Sequence, residues 1–248
     1  MKLVLFSFLL SITWCNMLYA QRLEFLNKHY MQVYDTVKYD YKFFKIIDED
    51  STGLKSQTFA RSGKLKVAQY TLLKDDQGSD KSELSLIFYD SGKLKRNGKK
   101  NFVTSEELIK TYYENGQVKS EVTCVADSVK TEVYYSELGD VISKPIISEG
   151  IPKDGLSGWN NYLAKTLRYP IDARMANQEG KVIISFQLTE EGKIIDPEIA
   201  NPEEIHPSLG AEALRAVKKY PYTWTPYTVN GVPEKCITRL PVNFELTD

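Results

Sequence analysis

Lys181-Val182-Ile183-Ile184-Ser185-Phe186-Gln187-Leu188 decides the fold class. Val182, Ile184, Phe186 and Leu188 fall on one side of an extended chain. Lys181, Ser185 and Gln187 fall on the other, with Ile183 as the exception. A period of two is the pattern of a half-buried antiparallel strand. Upstream, Trp159, Leu163 and Leu167 recur at helical spacing with Tyr162 beside them, behind Asp154 or Ser157 as N-cap. Tyr169-Pro170 ends that helix, because proline disfavours helical backbone at the residue before it. Asp172 to Ala176 adds a further helical turn. Downstream, Glu190-Glu191-Gly192 turns the chain into a second strand, Lys193–Ile199.

Pro207 suits the first position of another helix, with His206 before it as a solvated cap. Leu209, Ala213, Ala216, Val217 and Tyr220 line one face of that helix. Trp224 reads as core. Asn230-Gly231 is a strong hairpin-turn dipeptide. Thr238, Leu240, Val242 and Phe244 share one side of a last strand. Pro241 within it has no N–H to donate, which favours an edge or strand-end position there. The expectation for residues 150–248 is α+β, with two to three helices on a three-stranded antiparallel sheet.

A different pattern fills residues 55–145. Phe59-Ala60-Arg61-Ser62-Gly63-Lys64-Leu65 recurs as Phe88-Tyr89-Asp90-Ser91-Gly92-Lys93-Leu94 and as Tyr112-Tyr113-Glu114-Asn115-Gly116-Gln117-Val118. Tyr134-Tyr135-Ser136-Glu137-Leu138-Gly139-Asp140-Val141 is a looser copy. The glycines lie 29, 24 and 23 residues apart, a spacing typical of structural repeats. Each copy reads as a hairpin. The aromatic residue ends one strand, glycine supplies a left-handed turn position, and Leu or Val begins the return. One hairpin cannot bury its apolar side alone, so neighbours must stack. Ahead of the repeats, Tyr34, Tyr39, Tyr41 and Phe43 suggest extended structure, and Asp48-Glu49-Asp50-Ser51-Thr52-Gly53 a turn. All 10 prolines lie at or after Pro145. That shift sets a boundary near residues 145–155, between a β-hairpin repeat region at 21–148 and the module at 150–248.

Residues 1–20 read as a secretory signal peptide: Lys2, an apolar run of 12 residues from Leu3 to Trp14, and Leu18-Tyr19-Ala20 as a cleavage site. As a helix that run spans roughly 18 Å, against roughly 30 Å of bilayer hydrocarbon. Cleavage would leave the chain free in the periplasm. The alternatives are an uncleaved anchor that recruits Cys15 to Ala20, and acylation at Cys15, against which the bulky Trp14 argues. Export permits a disulfide, so Cys124 and Cys236 are either buried thiols or a pair across the two regions.

These residues resemble two families. The repeat segment resembles the MORN-repeat-variant (YwqK-like) family through its Tyr-x-x-x-Gly-x-Leu/Val units. The C-terminal segment resembles the TonB C-terminal domain. The landmarks are Tyr169-Pro170, Gly180 with its Val/Ile/Phe strand, Gly192, Glu212-Ala213, Trp224-x-Pro226, Asn230-Gly231 and Pro241-Val242-x-Phe244. That resemblance implies a protein of the bacterial envelope that binds a partner peptide by strand addition, the partner being an outer-membrane TonB-dependent receptor. An envelope scaffold with no energy-transducing role is the alternative, and a homodimer through sheet edges is a further option. Tyr169 and Pro170 are candidate contacts because they match the family's Tyr-Pro segment. Arg239 and Asn243 are candidates because they lie opposite the apolar row of the last strand. For Tyr169 a core role, and for Arg239 a solvated charge, are the competing readings. An energy transducer also carries a membrane anchor and a long spacer, often proline-rich; a cleavable signal and a repeat segment stand in their place here.

A formal net charge of −1 gives no footing for nucleic acid. The 2 histidines, His29 and His206, are too few for most metal or triad sites. The chain has no Gly-x-Ser-x-Gly, Ser-x-x-Lys, His-Glu-x-x-His or phosphate-loop motif. The expectation is a non-enzymatic protein with no metal and no cofactor.

Overall fold

The computed structural model describes residues 20–72 and 81–246. The signal-peptide reading falls on residues outside this range, apart from Ala20, with which the first strand begins. Strands β1 (Ala20–Leu26), β2 (Gln32–Val33), β3 (Phe43–Glu49), β4 (Gly53–Ala60), β5 (Leu65–Leu72) and β6 (Ser82–Phe88) are followed by β7 (Leu94–Asn101), β8 (Glu106–Tyr112), β9 (Val118–Val125), β10 (Ser128–Tyr135) and β11 (Val141–Ile142). They form a single 11-stranded sheet in the order β11-β10-β9-β8-β7-β6-β5-β4-β3-β1-β2. The expectation that hairpins stack on one another is corrected. Each pairs edge to edge with the next, and its strands stay half-buried on both faces. Cross-strand side-chain pairs therefore hold this sheet, with little enclosed core. Both ends finish in strands of two residues, β2 and β11, which present little edge for further pairing.

The repeat motif is a turn device. In each copy the glycine has positive φ: 87° at Gly63, 87° at Gly92, 96° at Gly116 and 92° at Gly139. Its N–H donates three residues back, to Ala60, Tyr89, Tyr113 and Ser136 respectively. This is a type I turn followed by a left-handed residue, the usual three-residue hairpin loop. Sequence reading missed a further repeat position. The ladder slips by one residue at Thr58/Phe59, Ile87/Phe88 and Thr111/Tyr112, leaving Lys66, Lys95 and Lys119 out of register. Each of these lysines stands three residues after its glycine. Lys95 and Lys119 lie over the rings of Tyr89 and Tyr113, both at 5.4 Å. The Tyr89 hydroxyl donates to the Tyr112 carbonyl at 2.7 Å, and that of Tyr113 to the Tyr135 carbonyl at 2.8 Å. Where the first copy has Ala60 in place of tyrosine, Lys66 pairs with Asp90 of the next copy instead.

Ahead of the repeats, Asp48 and Glu49 belong to β3, and the turn is shorter than expected. The Asp50 carboxylate accepts from the Thr52 and Gly53 N–H groups to make it. Tyr34, Tyr39 and Tyr41 lie in the loop between β2 and β3 instead of in strands.

A short strand β12 (Ile147–Ser148) leads to helices α1 (Gly155–Thr166) and α2 (Ile171–Met175), then β13 (Gly180–Leu188) and β14 (Ile194–Ile199). Helix α3 (Pro207–Lys218) and strands β15 (Thr228–Val229), β16 (Val232–Pro233) and β17 (Cys236–Phe244) complete the described chain. A 3-stranded antiparallel sheet, β14-β13-β17, carries the core. Val182, Ile184, Phe186 and Leu188 are buried under the helices, as the period of two requires. Trp159 of α1 meets Tyr162 and Tyr220 at 5.6 and 5.2 Å, and the Tyr162 hydroxyl donates to the Ala216 carbonyl. Trp224 is core, edge-on to Phe186 at 5.2 Å. The Asn230-Gly231 hairpin forms with φ of 52° and 79°, and β12 joins it in a second small sheet, β12-β15-β16, that the sequence did not announce. His206 is the N-cap of α3, but its side chain makes no capping bond; Nδ1 lies 2.8 Å from Ser208 Oγ instead. Cys124 and Cys236 are free thiols.

Candidate partner-binding edge

β17 is an edge strand, paired with β13 through nine consecutive positions from Gly180↔Phe244 to Leu188↔Cys236. The far side of β13 reveals which of its backbone groups are free. Asn201 Oδ1 accepts the Ile183 N–H at 2.9 Å, and Ala200 N–H donates to the Ile183 carbonyl at 2.8 Å. Asn201 Nδ2 donates to the Lys181 carbonyl. Lys181 and Ile183 thus turn their backbone groups away from β17. In an antiparallel ladder, directly opposed residues either exchange both hydrogen bonds or exchange none. Their partners Asn243 and Pro241 therefore also face outward, and by alternation so do Arg239 and Ile237. The outer edge of β17 offers carbonyls at all of these positions and N–H groups at Ile237, Arg239 and Asn243, with a gap at Pro241. The missing proline donor costs the fold nothing, because Leu240 and Val242 carry the ladder.

The four sequence candidates do not form one cluster. Asn243 is exposed on the outward row of β17. Tyr169 lies at the same end of the strand, its ring edge-on to Phe244 at 5.7 Å, with the Arg174 guanidinium 5.5 Å from its ring centre. Its hydroxyl donates to the Gln178 carbonyl at 2.5 Å. Burial, followed by the nearby Glu179 charge, raises the phenol above its ordinary pKa, so it remains a donor. Pro170 is half-buried and is the N-cap of α2, with extended backbone. Tyr169 therefore packs against the core, at the end of the strand that carries Asn243.

Arg239 is engaged within the chain. Its Nη2 donates to the His29 carbonyl at 2.8 Å, while the residue as a whole stays exposed. His29 belongs to the segment Asn27–Asp35, which lies against the face of the β14-β13-β17 sheet opposite the helices. Asn27 Nδ2 donates to the Ala200 carbonyl at 2.8 Å. Lys28 Nζ and His29 Nε2 lie 2.5 and 3.1 Å from the Glu198 carboxylate. The Tyr34 and Asp35 N–H groups donate to Glu203 Oε2 at 3.0 and 3.1 Å. Ser185, on the same face of β13, is 2% exposed. Sequence reading missed this contact entirely. Side chains separated by some 170 to 210 positions meet here, and none of them belongs to a periodic pattern.

His29 sets a pH dependence for the contact. Burial pushes its imidazole below the ordinary 6.5. Glu198 pulls the pKa back up, and Lys28 and Arg239 push it down. A lowered pKa means that the proton binds more readily when the segment is off the sheet. The contact is therefore at full strength above about pH 6.5 and weakens as pH falls below that. Amide exchange at Tyr34 and Asp35 is expected to be faster at pH 5 than at pH 7.5 after correction for intrinsic rates. His29→Gln should flatten that dependence.

Among the described residues no group of three or more His, Cys, Asp and Glu side chains is placed to hold a metal. No helix among them is long and apolar enough to cross a membrane.

Residues 165–246 match the family model for the Gram-negative bacterial TonB protein C-terminal. The match covers about a third of the chain and contains Tyr169, Pro170, the whole β14-β13-β17 sheet and α3. It begins within α1 and leaves out β12, so the matched segment is framed by elements that the match does not include. No curated protein matches, and no solved structure matches. The MORN-repeat-variant resemblance of the long sheet has no family match behind it.

Proposed function

We propose that this chain is a non-enzymatic envelope protein whose TonB C-terminal module takes a partner peptide as an added strand along β17, in the service of TonB-dependent outer-membrane transport. The observation that carries this reading is the outward backbone of Ile237, Arg239, Pro241 and Asn243, on an edge that no other described strand covers. Strand addition draws on such groups. Roughly five net hydrogen bonds at about 1 kcal/mol each give only weak binding. Side chains beside the edge supply the rest, and Tyr169 and Asn243 flank its C-terminal end. Supporting the reading is the family match, which spans all three strands.

The test is capture of outer-membrane proteins from a Gram-negative envelope extract on the immobilised exported chain, residues 21–248. TonB-dependent receptors should be retained, and Tyr169→Ala should reduce their recovery several-fold. Recovery of no receptor, with Tyr169→Ala equal to wild type, would favour a scaffold role over transport.

A further inference from the structure

The contact between Asn27–Asp35 and the C-terminal sheet has the features of peptide capture. Three of its bonds join a side chain on the TonB C-terminal module to main chain of the segment: Arg239 to the His29 carbonyl, and Glu203 to the Tyr34 and Asp35 N–H groups. Main-chain capture by side chains places little demand on the sequence captured. The segment also carries a cation, Lys28, against Glu198.

The seat is incomplete in two ways. Glu203 Oε1 is buried without a hydrogen-bond partner, and a buried acceptor left unpaired weighs against the docked state. A cleft of about 300 Å³ remains between the segment and the sheet, lined by Lys28, His29, Ser185, Gln187, Glu198 and Ile237. The segment includes β2, whose pairs with β1 hold it as a hairpin at the end of the long sheet. An imperfectly packed, partly charged contact therefore opens by that hairpin leaving the C-terminal sheet with its own ladder intact.

We propose that Asn27–Asp35 is a latch in cis: it occupies the open face of the C-terminal sheet, holds Arg239 through the His29 carbonyl, and must lift before a strand added at β17 can use Arg239. This rests on the strand-addition reading for its consequence, but the latch itself can be tested without any receptor. The occupant is this chain's own segment. Tethered through β1 and β3, it stands at an effective concentration on the order of millimolar. A free copy of the same peptide therefore competes poorly with it, and its affinity falls by the fraction of latches that are open.

The probe is a synthetic peptide with the sequence of residues 26–36, and the protein is the exported chain, residues 21–248. Asn27→Ala/Lys28→Ala/His29→Ala weakens the latch from the segment side and leaves the face intact. Fluorescence anisotropy should show the labelled peptide binding this variant about tenfold or more tightly than wild type. Adding Arg239→Ala or Glu203→Ala to the same background should abolish the gain. Amide protection along β13 and the β13-facing positions of β17 should be the same in wild type and the triple variant. Equal peptide binding to wild type and triple variant would overturn the proposal. So would loss of protection along β13, which would make the segment a structural wall. Failure to capture any receptor would leave these outcomes unchanged, so the latch and the transport reading stand or fall separately.

Discussion

Replacing Gly192 with alanine should destabilise the C-terminal module by about 3 kcal/mol or more, through backbone strain and a clash with rigid neighbours. Gly192 ends the turn between β13 and β14 with φ at 75°. A Cβ there would lie 1.9 Å from the Trp224 carbonyl oxygen and 2.9 Å from its carbon. Both atoms are backbone, so no rotamer change relieves the overlap. Trp224 N–H donates to the Gly192 carbonyl at 2.8 Å, which ties the two segments at that point. Moving Trp224 away would also pull its indole off Phe186, in the centre of the core. The control is Gly63→Ala in the long sheet. Gly63 has φ of 87° and nothing within 4 Å of a new Cβ, so only the left-handed strain of about 1–2 kcal/mol applies. Urea unfolding followed by tryptophan fluorescence for the C-terminal module, which holds Trp159 and Trp224, and by far-UV circular dichroism for the long sheet separates the two cases. Equal losses for both variants would mean that the β13–β14 turn yields without cost and that Trp224 does not pin it.

Gly192 also marks how far sequence reading reaches. Its left-handed turn was legible, because glycine after two polar residues between strand patterns has few other uses. Its close approach to Trp224 was not, because that depends on where residues 221–226 return. The same division runs through the chain. The alternation of Val182, Ile184, Phe186 and Leu188 gave the buried face of β13, and Pro241 narrowed its own place to an edge or a strand end, of which β17 is the edge. The repeat glycines located four hairpin turns. What each hairpin meets was not encoded in the motif, since edge-to-edge pairing and face-to-face stacking place the same demands on Gly63 or Gly92. The register slips at Lys66, Lys95 and Lys119 were visible only as a recurring lysine whose role needed the ladder. At the candidate site, Tyr169 was a candidate only through the family's Tyr-Pro segment, and Asn243 through its place opposite the apolar row of the last strand. Arg239 was read as either a partner contact or a solvated charge, and it is bound to His29 across the chain.

The most discriminating result for function should come from two proline substitutions one residue apart. Val242 faces β13 with its backbone and the core with its side chain, which is fully buried. Val242→Pro removes a ladder donor and should cost about 3 kcal/mol or more. Asn243 turns its N–H outward and its side chain to solvent. Asn243→Pro leaves the β13–β17 ladder whole and should change stability by less than about 1 kcal/mol. Its effect falls on the partner. The outer edge already lacks a donor at Pro241, so a second proline confines the donors to Ile237 and Arg239. The new ring also stands where an added strand would approach. Loss of even one net hydrogen bond and its neighbouring contacts, about 1.4 kcal/mol, is a tenfold loss of affinity. Capture of outer-membrane proteins by Asn243→Pro should therefore fall about tenfold or more, with its unfolding curve unchanged. The same partner, once bound to wild type, should protect the Ile237, Arg239 and Asn243 amides and leave those of Leu240 and Val242 as they were. Undiminished capture by a folded Asn243→Pro protein would place the partner away from β17, and strand addition at that edge would have to be abandoned.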